Sequence, residues 1–61
     1  LNIGEVVLDR KTGGTGLVIN RWTDTTVEID LTLPNGRQQI VMRSTADLER
    51  MGRLKSRRGR W

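Results

Sequence analysis

Residues 53–61 read RLKSRRGRW, and together with Arg50 they concentrate cationic chemistry at one end of the chain. Arg50, Arg53, Lys55, Arg57, Arg58 and Arg60 fall within twelve residues that contain no carboxylate. An arginine guanidinium is a planar fork of donors that can grip a phosphate or carboxylate through two parallel hydrogen bonds, and lysine adds a compact point charge. Gly52 and Gly59 allow the backbone to follow a groove, and Trp61 offers a ring for stacking. The chemistry these residues suit is neutralisation of a phosphate backbone, with little sensitivity to base sequence. Six contacts to duplex phosphates would make log affinity fall against log salt with a slope of roughly −5, and three with a slope of about −3. The alternative is a solvated, disordered end that aids solubility. Segregation of one sign of charge favours the polyanion reading.

That segregation is visible against the rest of the chain. The 61 residues carry 11 Lys and Arg against 7 Asp and Glu, for a net charge of +4. Residues 1–49 hold five basic side chains (Arg10, Lys11, Arg21, Arg37, Arg43) against seven acidic ones (Glu5, Asp9, Asp24, Glu28, Asp30, Asp47, Glu49). The body is therefore mildly acidic, and the basic character of the whole chain belongs to its end. Arg10, Lys11, Arg21 and Trp22 are the body's candidate groove contacts. Trp22 either stacks a base or partner or covers an open barrel edge.

Catalytic groups are scarce. With no histidine, Ser44 and Ser56 lack an imidazole to activate them, so a non-enzymatic role without a cofactor is expected. Cysteine is absent as well, which removes disulfides and thiolate metal ligands and leaves the redox compartment open. Asp24, Glu28 and Asp30 could gather a hard cation, but Glu28 and Asp30 alternate along a strand, the ordinary pattern of a wet face. The KTGGTG stretch at residues 11–16 has its lysine before the glycines and a strand after them, the reverse of a phosphate-cradling loop, and reads as a turn. Two tryptophans as the only aromatics are too few for methyl-lysine cages, proline-rich grooves or base-stacking RNA readout.

No apolar run approaches the roughly 20 residues that span a bilayer, and no signal-peptide pattern is present. A soluble, cytoplasmic protein without a membrane partner is expected. A chain beginning at Leu1 rather than methionine reads as processed or as part of a longer protein. A domain this small buries only about 60% of its unfolded surface, so oligomerisation or a protein partner is expected to add stability.

The elements that must position these residues are strands. In TTVEIDLTL, residues 25–33, Val27, Ile29, Leu31 and Leu33 alternate with Glu28, Asp30 and Thr32, the period of a strand with one buried face. Pro34, Asn35 and Gly36 form a turn, so RQQIVMR returns antiparallel with Ile40 and Met42 as the expected inward pair. Upstream, GEVVLD and GLVINRW predict two further strands around the glycine-rich connection. STADLERMG admits a helix capped by Ser44 or Thr45 and carrying Leu48, Met51 and Leu54. The other reading is a 3₁₀ turn at residues 45–48 followed by a short strand at 49–51. Gly52 disfavours the helix, and the second reading is adopted.

IGEVVLDRKTGGTGLVI resembles the opening of KOW and Tudor-like SH3 barrels, with Ile3, Gly4, Glu5, Val7, Gly16 and Val18 at the family's positions, and ADLERM is similar to their closing 3₁₀ turn and final strand. The resemblance covers residues 3–51 and implies an all-β, SH3-like, five-stranded, partly open barrel with a 3₁₀ turn before the last strand. Residues 1–51 are then the barrel and 52–61 a basic, flexible tail. Lys11, Gly13, Gly16 and Val18 also resemble the C-terminal Tudor-like module of bacterial superfamily-one DNA repair helicases, which implies contact with DNA repair or transcription machinery; Thr12 stands where those modules usually carry an aromatic. A more distant resemblance links Gln39, Ile40 and the later Leu48, Glu49 and Arg50 to type II dihydrofolate reductases, which act as homotetramers, with Val41 in place of their tyrosine.

Together these features predict an accessory domain that binds DNA or RNA through Arg50, Arg53, Lys55, Arg57, Arg58, Arg60 and Trp61. The alternative is a protein-interaction module working through an edge strand or the arginine cluster.

Overall fold

The computed structural model describes residues 1–53, with Arg53 represented by its backbone alone. Five strands, β1 (Glu5–Asp9), β2 (Thr15–Thr23), β3 (Thr26–Thr32), β4 (Gln38–Ser44) and β5 (Leu48–Arg53), form one antiparallel sheet in the order β4-β3-β2-β1-β5. A 3₁₀ turn, η1, at Thr45–Asp47 precedes β5. The result is an all-β, small barrel-like fold with β4 and β5 as its edges.

Alternation builds the core. On β3, Val27, Ile29 and Leu31 are fully buried and the residues between them are not. Val7, Val18 and Leu48 complete the buried cluster, with Leu1, Leu33 and Val41 packed against it. The β2–β3 connection is tight, with Thr23 opposite Thr26. Between β3 and β4, the Gly36 amide donates to the Leu33 carbonyl and the Leu33 amide to the Arg37 carbonyl. Gly36 adopts φ +91°, a conformation that disfavours any side chain.

This turn sets the parity of β4 and corrects the expected inward pair. Thr32 stands opposite Gln38, so Ile29 faces Val41, while Asp30 faces Ile40 and Glu28 faces Met42. Ile40 and Met42 therefore join Glu28 and Asp30 on the outer face, 61% and 48% exposed, and Val41 points to the core. A period of two makes such an error complete: shifting the pairing by one residue exchanges every side chain between faces.

The 3₁₀ turn forms as expected. Ser44 caps it by accepting from the Ala46 amide at 3.3 Å, and the Thr45 amide donates to Thr25 at 2.9 Å. The following strand is longer than expected. It begins at Leu48, whose side chain fills the core, and continues through Gly52 and Arg53, opposite Val6 and Glu5, with an irregularity at Met51. The sheet thus includes two residues past the boundary drawn from the sequence.

Candidate nucleic-acid interface

β1 carries two carboxylates on the same face as Val7. The alternation of EVVLD puts Glu5, Val7 and Asp9 inward and leaves Val6 and Leu8 half-buried. Asp9 has no exposed surface. Its Oδ2 accepts from the Thr12 hydroxyl at 2.7 Å, and its Oδ1 accepts from Arg43 Nε at 3.1 Å and from the Lys11 amide at 3.4 Å. Desolvation pushes this carboxyl's pKa up, but the hydrogen bonds from Thr12 and Arg43, the Arg43 charge and the Lys11 amide outweigh it and hold the pKa below its ordinary value. Asp9 is on β1 and Arg43 on β4, strands that are not neighbours in the sheet, so their ion pair spans the inside of the curl.

Glu5 is the second inward acid. Its Oε1 accepts from the Asn2 amide at 2.7 Å, and its Oε2 lies 3.2 Å from Arg50 Nε. Arg50, expected among the phosphate-binding residues, thus sits inside β5 opposite Val7 and is engaged by a carboxylate of the sheet. Arg53 ends β5 opposite Glu5. Lys55, Arg57, Arg58, Arg60 and Trp61 lie outside the described residues.

The four body candidates separate into two groups at opposite ends of β2. Arg10 and Lys11 occupy the turn before it. Arg10 donates to the Ala46 carbonyl at 3.3 Å and its Nη2 lies 3.8 Å from Glu49, while Lys11 is exposed. Arg21 and Trp22 sit near the far end of β2. Trp22 is 59% exposed and its Nε1–H donates to Glu28 Oε1 at 3.0 Å, so the ring lies on the outer face and takes no part in the core. Gln39 and Ile40 fall on opposite faces of β4.

Sequence reasoning missed the Asp9–Arg43 and Glu5–Arg50 pairs. A signal for half of each was present: once Val7 is placed inside, period two puts Glu5 and Asp9 beside it. The arginine partners lie more than 30 positions away and carry no comparable mark.

No protein-family model matches the chain, and neither does any curated protein or solved structure. Among the described residues, no helix is long and apolar enough to cross a membrane.

Proposed function

We propose that the chain is a cytoplasmic, non-enzymatic accessory module of DNA- or transcription-related metabolism that binds the phosphate backbone of nucleic acid through the cations that begin at the end of its last strand. Charge segregation carries this reading. The sheet pairs Arg10, Arg43 and Arg50 with its own Glu49, Asp9 and Glu5, whereas Arg53, Lys55, Arg57, Arg58 and Arg60 follow in a stretch of sequence that holds no acid. The likeness of residues 3–51 to KOW and Tudor-like barrels supports the same reading. The edge position of β4, with Ile40 and Met42 exposed, supports a second role in protein interaction.

The length of β5 determines how the proposal is tested. A chain ended before residue 50 would lose most of a core-forming strand, so the informative truncation stops after Arg53. The full chain and residues 1–53 are compared for duplex DNA binding between about 50 and 200 mM salt, beside a full chain with Lys55, Arg57, Arg58 and Arg60 changed to Gln. With Arg50 engaged by Glu5, five cations are available, and the full chain should show a salt slope of about −4.5. Both variants should bind weakly with a slope near −1. Unchanged affinity in either one overturns the reading.

A further inference from the structure

The sheet has a second surface whose chemistry is the reverse of the cationic end. Cross-strand pairing sets its rows: Ile40, Asp30, Leu17 and Val6 lie side by side across β4, β3, β2 and β1. The next row pairs Met42 with Glu28, to which Trp22 is tied. Val6, Leu17, Asp30, Thr32 and Gln38 line an open recess of about 270 Å³. Among the described residues the Asp30 carboxylate has no hydrogen bond or ion pair, and no Lys or Arg lies in these rows. Arg43 and Arg50 stand on inward positions with Asp9 and Glu5, and Arg21 stands opposite buried Val27.

An apolar surface carrying carboxylates but no cation repels phosphate, which excludes nucleic acid from this side. At about 270 Å³ the recess falls just below the roughly 300–1,000 Å³ of small-molecule sites. Ile40 and Met42 are exposed two residues apart on this face, and contiguous exposed apolar surface is what marks protein interaction sites. We infer that the outer face of β2, β3 and β4 is a docking surface for an extended segment of a partner protein whose sheet-facing residues, every second one along it, are in turn basic and aliphatic. Its aliphatic side chains cover Ile40 and Met42, and its cations meet Asp30 and Glu28. This inference is independent of phosphate binding by the C-terminal residues and stands if that reading fails.

The probe is a nine-residue peptide with leucine and lysine in turn at its odd positions and threonine at its even ones, titrated into the full-length Trp61→Phe chain, in which Trp22 is the single fluorophore. Saturable binding is expected, with a loss of roughly tenfold in both the Glu28→Gln/Asp30→Asn and the Ile40→Ser/Met42→Ser variants. The same peptide with glutamate in place of lysine should not bind. All four substituted positions are at least partly exposed, and urea midpoints close to that of the parent chain would confirm that folding is retained. The inference is overturned if either double variant binds as the parent does, or if the acidic peptide binds equally well. It is also overturned if Ile40→Ser/Met42→Ser turns a dimer into a monomer, which would make a second copy the occupant. A roughly tenfold gain in peptide affinity on removing residues 54–61 would instead identify the chain's own end as the occupant.

Discussion

Asp9 is the residue on which the described fold depends most. Its burial would disfavour charge, yet Thr12, Arg43 and the Lys11 amide supply four hydrogen-bond and charge contributions to the ionised form. Removing one member of a buried pair leaves the other charge uncompensated. Asp9→Asn should cost about 3 kcal/mol, a large share of what a domain of this size possesses. Because the folded pKa lies below the unfolded value of about 3.9, the contribution is fully present above that value and is lost as pH falls through the folded pKa. Urea midpoints should therefore fall between pH 5 and the acid limit in the parent chain, and fall less in Asp9→Asn. Equal acid slopes for the two would remove Asp9 as the source. Gly14 is similarly exacting for a steric reason. A Cβ there would press against the Thr32 carbonyl oxygen and come within 3.1 Å of the Leu33 Cα, both backbone atoms. Gly14→Ala should cost about 2 kcal/mol, measured in the same denaturation experiment.

The elements differ in how openly the sequence declares them. β3 is legible because its apolar residues share one parity and its charged residues the other. The hairpin partner of β3, the two upstream strands and the 3₁₀ turn follow from similar local marks. The facing of β4 does not, since QQIVMRS carries apolar residues on both parities, with Ile40 and Met42 outnumbering Val41. What decides it is the number of residues in the preceding turn, a property of pairing that composition does not encode. The buried ion pair was illegible for a related reason: Asp9 and Arg43 are 34 positions apart, and only the curl of the sheet brings them together. The parity of β4 predicts a simple reversal of the naive ranking. Val41→Ala should cost about 1.5 kcal/mol, for two methyl groups removed from the core margin. The larger Ile40 and Met42 should tolerate Ser with less than about 0.5 kcal/mol of change. A destabilisation of 1 kcal/mol or more at Ile40 would argue against the outward placement.

At the scale of the whole molecule, the sheet pairs three of its arginines with its own carboxylates while the sequence beyond it accumulates cations without acids, and this has a thermodynamic consequence. A ligand that binds only the folded state raises the unfolding midpoint by mass action. Phosphate binding confined to the residues after β5 is not of that kind, because those residues are cationic whether or not the sheet is folded. Unfolding would also release Arg10, Arg43 and Arg50 from their carboxylates, so the unfolded chain offers more cations to a polyanion than the folded one. Saturating duplex DNA at low salt should therefore leave the thermal midpoint unchanged or lower it slightly, as followed by Trp22 fluorescence in the Trp61→Phe chain. Raising salt should abolish whatever shift appears, since the interaction is dominated by counterion release. The basic–aliphatic peptide should do the opposite, because its site exists only when β2, β3 and β4 are paired. A rise of several degrees with DNA would show that the folded sheet itself contacts phosphate, and would displace the division of labour between its two surfaces.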